Sequence, residues 1–135
     1  MVDLHSQYMA IKNDIDAAIQ RVIDSTQFIK GQEVEAFEQE LADYLNIPHV
    51  ISCANGTDAL MISLRALGIQ PGDEVIVPTF TFIASAEVIT LLGAVPVFAD
   101  IDPDTFNSKT VQVDCQTTRR TRAFCLVLFF VFCAD

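Results

Sequence analysis

The sequence predicts an α/β fold in which a mostly parallel sheet is flanked by helices. Three observations carry this expectation. Short apolar runs of strand length alternate with segments whose apolar residues recur every three or four positions, the pattern of β-α-β units. Gly68, Pro71-Gly72 and Gly93 stand at the joints, where helix stops and turns need them. With 135 residues, 51% of them hydrophobic, the chain can bury one modest core, so one domain or part of one is expected.

The elements follow in order. Ile11, Ile15, Ala18, Ile19, Val22 and Ile23 keep helical spacing and predict a first amphipathic helix, drawn over residues 14–25, that packs on the domain or on a neighbouring subunit. In a second helix Val34, Phe37, Leu41 and Tyr44 step by three and four, with an end near Asn46 and Pro48 just beyond. Glu33, Glu35, Glu38 and Glu40 read as its solvated face. His49-Val50-Ile51-Ser52 reads as a short buried strand. Thr57 to Leu67 then reads as a helix with Leu60, Leu64 and Leu67 on one face. Glu74 to Val77 is the next strand, Phe82 to Leu92 the next helix, and Val95 to Ala99 a further strand. Residues 108–120 read as an irregular connector, and 123–133 as an apolar strand buried on both faces.

The stretch Ser52-Cys53-Ala54-Asn55-Gly56-Thr57-Asp58-Ala59-Leu60 places a turn of small residues at the start of a predicted helix. Backbone N–H groups in a first turn have no intrahelical partner, and the helix dipole adds partial positive charge there. Gly56 lets a ligand approach the backbone closely, and the Thr57 hydroxyl can donate as well, so the natural guest is an anion such as phosphate. The same residues also serve ordinary turn and cap chemistry. In open parallel sheets, ligands gather beyond the carboxyl ends of the strands. Both Asn55-Gly56-Thr57 and Pro78-Thr79-Phe80-Thr81-Phe82 follow predicted strands in that way.

These turns do not stand alone. Phe28-Ile29-Lys30-Gly31-Gln32-Glu33-Val34-Glu35-Ala36-Phe37-Glu38, the Asn-Gly-Thr turn, the run Pro71 to Glu87, and Gly93-Ala94-Val95-Pro96-Val97-Phe98-Ala99-Asp100-Ile101-Asp102-Pro103 occur in one order and spacing. Together they resemble the DegT-type sugar aminotransferases, pyridoxal-phosphate enzymes of the type I aminotransferase fold. The likeness runs from about Asp3 to Asn107. It thins beyond, where Thr121-Arg122-Ala123 and Cys133-Ala134-Asp135 still look like family landmarks while Leu128 to Phe132 depart from the pattern.

The resemblance implies that residues 1–135 are the amino-terminal portion of one pyridoxal-phosphate-binding large domain. Gly56 and Thr57 match the family's phosphate-binding pair, and Phe82 stands where relatives stack an aromatic ring on the cofactor's pyridine. It further implies transfer of an amino group, from an amino acid such as glutamate, to a keto group of a nucleotide-linked sugar, by a homodimer when full length. Such transfer needs a lysine to carry the cofactor and move protons, and a carboxylate to keep the pyridine nitrogen protonated. Relatives supply both from beyond the point where this sequence stops. Lys12, Lys30 and Lys109 lie outside the family's lysine motif, so the 135 residues are expected to be catalytically silent alone. Two alternatives remain at this stage: a sugar dehydratase of the same fold with histidine in place of the lysine, and a non-catalytic remnant or interaction module.

Composition sets the remaining bounds. A formal net charge of −10 argues against nucleic acid and anionic membrane surfaces as partners. The apolar run at 123–133 is too short for a membrane helix, which needs about 20 residues. Met1 to Gln20 lacks the apolar block of a secretory signal, and a cytoplasmic location is expected. Cys53, Cys115, Cys125 and Cys133 lack paired spacing, which points to buried free thiols and to neither a zinc site nor a disulfide framework. His5 and His49 have no supporting constellation for acid–base work. No residue is assigned to a metal.

Overall fold

The computed structural model describes residues 2–127. Eight elements follow one another: α1 (Leu4–Ser25), α2 (Gln32–Leu45), α3 (Gly56–Ala66), β1 (Glu74–Pro78), α4 (Ala84–Leu91), β2 (Val95–Ala99), α5 (Thr110–Gln116) and β3 (Thr121–Phe124). They form two compact units, the first ending at Ser52 and the second beginning at Cys53.

The first unit is a helix pair. Asp3 caps α1 by accepting from the Ser6 N–H at 3.0 Å and the Ser6 hydroxyl at 2.7 Å, so the helix begins ten residues before the predicted 14–25 span and takes in His5. At Ile11 the backbone leaves helical angles and the helix kinks. Ile11, Ile15, Ile19 and Ile23 are exposed, and no residue of α1 is buried. Asn46, in the left-handed conformation, ends α2 close to the expected position, and the Ile47 N–H closes the turn on the Ala42 carbonyl at 3.0 Å. Arg21 Nε meets Glu33 Oε1 at 3.1 Å between the two helices.

The buried strand expected at His49 to Ser52 does not form. Ile51 is 84% exposed, and no neighbouring strand among the described residues offers these amides a ladder. Glu38 of α2 holds the segment instead, its Oε1 accepting from the Ser52 N–H at 2.8 Å and the Ser52 hydroxyl at 2.6 Å. These bonds to the charged form hold the Glu38 carboxyl below its ordinary range.

The second unit carries the sheet. Its order is β2-β1-β3 with both pairings parallel, Val75 facing Pro96 on one side and Ala123 on the other. Parallel neighbours require crossover connections, which α4 supplies between β1 and β2. All five residues of β1 are buried, as a continuous Val-Ile-Val run in a strand covered on both faces demands. Val75 and Val77 project into one cluster with Leu64 of α3, Val88 and Ile89 of α4, and Ile69 and Ala94 from the connections, so both helices pack on the same sheet face. Ala123 of β3 and Cys125 just after it pack against that cluster. Each fully buried Val, Leu or Ile contributes about 1.5–3 kcal/mol, which makes this cluster the main stabilising feature of the unit.

The turns obey the expected glycine logic at two positions that matter. Gly93 adopts φ 75° directly after α4, and a Cβ there would meet the Pro71 ring at 3.1 Å, so the two turns at this end of the sheet close on each other. The Gly72 N–H donates to the Gly93 carbonyl at 2.9 Å. Pro96 is tolerated within β2 because the Val95 N–H points at β1, bonding the Asp73 carbonyl at 2.8 Å. Alternation then turns the amide position of Pro96 outward. The region expected to be an irregular connector contains α5, which packs on β2. Strand β3 accounts for the start of the predicted 123–133 strand; its end lies outside the described residues.

Charge organises the amino-terminal edge of the sheet. Glu74, whose side chain is 5% exposed, receives the Arg120 guanidinium on Oε1 and the Thr118 hydroxyl on Oε2, while the Arg120 carbonyl accepts from the Glu74 N–H at 2.9 Å. Arg122 Nε lies 3.5 Å from Asp73 Oδ1 beside it. Chiefly the Thr118 hydroxyl, and then Arg120, hold the Glu74 carboxyl below its usual 4.5 against the opposing effect of burial. A depressed folded-state value means that this stabilisation is present above pH 4.5 and is lost as pH falls through the lowered value. Glu74→Gln is therefore expected to lower stability at pH 7 and to flatten the fall in stability below pH 4.5, as read by urea unfolding at a series of pH values. An unchanged acid profile would remove Glu74 from that role.

Candidate functional site

The first turn of α3 is built by Asn55. Its Oδ1 accepts from the Asp58 N–H at 2.9 Å, its Nδ2 donates to Asp58 Oδ2 at 3.1 Å, and its carbonyl accepts from the Ala59 N–H at 3.1 Å. Asn55 and Asp58 are thus occupied with each other as a cap and a first-turn acid. The N–H groups of Gly56 and Thr57 and the Thr57 hydroxyl have no acceptor among the described residues. An added Cβ on Gly56 would meet nothing within 4 Å, so the chain is open on that side of the residue. Two amides and a hydroxyl without acceptors at a helix amino terminus are the chemistry of an anion site.

The loop after β1 is fixed at both ends. The Thr79 N–H donates to the Ala99 carbonyl at 3.0 Å, extending the ladder beyond β1, and the Thr81 and Ser85 hydroxyls share a hydrogen bond at 3.1 Å at the start of α4. Phe82 lies in this loop, because α4 begins at Ala84 and not at Phe82 as the spacing suggested. Its ring is 74% exposed and stacks on no other aromatic ring among the described residues. Phe80 packs against Phe106, with ring centroids 5.5 Å apart. Asp100, at the carboxyl end of β2, turns back to accept from the Ile101 N–H at 2.9 Å.

The candidate residues divide between two neighbouring elements. Gly56 and Thr57 begin α3, Phe82 precedes α4, and the two helices pack on one another; no hydrogen bond joins the Phe82 loop to Gly56 or Thr57 among the described residues. Sequence reasoning assigned no role to the Thr81–Ser85 hydroxyl pair or to the Phe80–Phe106 contact. The aromatic residues on either side of Thr81 were their visible signal. Lys12 pairs with Asp16 and Lys109 with Asp102, 3.4 Å away, while Lys30 occupies an exposed left-handed turn. Cys53 and Cys115 are exposed, contrary to the expectation of buried thiols, because the segment before α3 that carries Cys53 and the helix α5 that carries Cys115 lie outside the core. Cys125 is half-buried, and burial pushes its thiol up. No helix among the described residues is long and apolar enough to cross a membrane.

The model of the DegT/DnrJ/EryC1/StrS aminotransferase family matches residues 9–131, nearly the whole chain. The chain belongs to this family. It is 50% identical over 134 residues to UDP-2-acetamido-2-deoxy-3-oxo-D-glucuronate aminotransferase of Pseudomonas aeruginosa, a match that covers 99% of this chain and 37% of that protein. A crystal structure of a DegT DnrJ EryC1 StrS aminotransferase from Brucella abortus superimposes with a TM-score of 0.84 at 45% identity, covering 91% of this chain and 35% of the other. A Streptococcus pneumoniae protein solved in its PLP form superimposes with a TM-score of 0.74 at 36% identity, covering 81% of this chain and 29% of the other. The chain therefore spans about a third of the length of the relatives it matches.

Members of the DegT/DnrJ/EryC1/StrS family use pyridoxal phosphate. The donors free at Gly56 and Thr57 fit its phosphate in number and chemistry, and the exposed Phe82 ring fits an aromatic partner. The cap that presents those donors can be tested by itself. Asn55→Ala should lower stability by about 1 kcal/mol, the usual value of a helix cap, in denaturant unfolding. No loss would mean that Asp58 and the carbonyl of residue 55 hold the turn without the amide side chain.

Proposed function

We propose that the whole protein is a pyridoxal-phosphate-dependent aminotransferase that transfers an amino group, from an amino acid such as glutamate, to the keto carbon of a nucleotide-linked sugar. Residues 1–135 form, on this reading, the amino-terminal portion of its large domain, in a cytoplasmic homodimer. The observation that carries the proposal is the set of donors at Gly56 and Thr57 without acceptors among the described residues, in a chain of this family. The name of the Pseudomonas relative, which specifies a UDP-linked 3-oxo sugar, supports the substrate class.

When bound, the cofactor supplies an electron sink through which an amino group passes between two carbons. The residues of this chain hold it. Gly56 and Thr57 bind the phosphate through two N–H groups and a hydroxyl, aided by the α3 dipole. Phe82 covers one face of the ring, fixing its plane and keeping water from it. None of Lys12, Lys30 and Lys109 belongs to the family's lysine motif, so proton transfer at the reacting carbon is assigned to residues outside these 135.

Binding and turnover test this separately. Equilibrium dialysis of the 135-residue chain should show binding of inorganic phosphate and pyridoxal phosphate. Thr57→Val should weaken both by about tenfold or more, the loss of one hydrogen bond to a charged group. Equal binding by the variant would discard the Thr57 assignment. The same chain should give no amino transfer from glutamate to a UDP-linked 3-oxo sugar, and measurable turnover would mean that one of the three lysines works after all.

A further inference from the structure

We propose that Ser85 is a positioning residue for Phe82, fastening the loop that carries the ring to the buried start of α4; this rests on the reading of Phe82 given above. Ser85 is 7% exposed, and a hydroxyl enclosed to that degree needs a partner inside the protein. Thr81 is that partner, the two hydroxyl oxygens lying 3.1 Å apart. The N–H of the same serine donates to the Phe82 carbonyl at 3.1 Å. One buried residue therefore holds the loop on both sides of the Phe82 α-carbon, through the side chain of the residue before it and through its own carbonyl.

The helix start to which the loop is fastened is itself fixed. Ala86, Val88 and Ile89 of α4 belong to the buried cluster with Val75 and Val77 of β1. Ile83 stands at the cap position of α4 and offers no side-chain acceptor there, while its carbonyl takes the N–H groups of Ala86 at 3.0 Å and Glu87 at 2.9 Å. The hydroxyl pair thus supplies a side-chain bond between loop and helix start that the cap residue does not. Backbone atoms around an α-carbon set the direction of its Cβ bond, and backbone angles limit the rotamers that follow. Bonds at Thr81 and at the Phe82 carbonyl consequently bear on the side from which the Phe82 ring, 74% exposed, projects. The N–H bond would survive any replacement of Ser85 except proline. The hydroxyl bond is the part owed to the side chain, and it acts through Thr81 without contact with the ligand.

The test compares pyridoxal phosphate with inorganic phosphate, because only the former has a ring for Phe82 to cover. Dissociation constants are measured for the 135-residue chain, for Phe82→Ala, Ser85→Ala and Thr81→Val, and for the last two combined. Amide exchange is followed at Ser85, whose N–H reports on its bond to the Phe82 carbonyl, and at Ala94, whose N–H bonds the Ile89 carbonyl, as a control. Wild type should prefer pyridoxal phosphate by about three- to tenfold, the range of one aromatic stacking contact, and Phe82→Ala should abolish the preference. Ser85→Ala and Thr81→Val should each bring it within about twofold and speed exchange at Ser85 by about two- to tenfold, the worth of one hydrogen bond. Phosphate affinity and exchange at Ala94 should stay unchanged. The double variant should lose no more than either single one, since both remove the same bond. If Ser85→Ala keeps both the preference and slow exchange at Ser85, the positioning role is overturned and the cofactor reading stands. If it weakens both ligands equally, or speeds exchange at Ala94 as well, the residue acts on general stability and the proposal falls. Losses that add in the double variant would mean that the two hydroxyls act separately, which also overturns it. A wild type without preference overturns the Phe82 reading itself, and this proposal with it.

Discussion

The parallel registration of β1 between two neighbours is the constraint on which the second unit depends. A parallel pair cannot be joined by a tight hairpin, so each connection must leave the sheet, cross a face and return. This sends α4 over the same face as α3 and makes the apolar stripe of both helices meet Val75 and Val77. It also sorts the loops. Those following strand carboxyl ends collect the polar hydroxyls and exposed rings, and those preceding strands collect the ion pairs of Asp73, Glu74, Arg120 and Arg122. The Glu74–Arg120 and Asp73–Arg122 pairs close the edge at which β1 and β3 begin.

Local signals were legible in proportion to how locally they are satisfied. Helix α3, the glycine turns at 68, 72 and 93, and strands β1 and β2 all rest on interactions within a few residues or on unambiguous apolar runs. His49 to Ser52 misled because the composition of a buried strand is not a strand until a partner supplies the ladder. Helix α5 was hidden for the opposite reason: Thr110 to Gln116 has weak helical periodicity and draws its support from packing on β2. The extra turns at the start of α1 came from the Asp3 cap, a signal present in the sequence yet overshadowed by the stronger stripe downstream.

The candidate site shows the same division. Gly56 and Thr57 could be nominated from sequence because a helix start advertises its own unsatisfied amides. Phe82 could be named only through family resemblance, since a phenylalanine beside a strand reads equally well as core. In the described residues Phe82 is 74% exposed, a property of the folded chain that no spacing announces. The Phe80–Phe106 contact spans a strand, a helix and a turn, so no local spacing could have announced it.

Pro96 carries a last consequence. Among the described residues β2 is an outer strand, and its outward-facing amide positions are those of Pro96 and Phe98. Since proline has no N–H, a foreign strand approaching that side would find half of the expected donors missing from a five-residue edge. Beside the buried Val75-Ile76-Val77 run of β1, this edge is thereby a poorer template for an added strand.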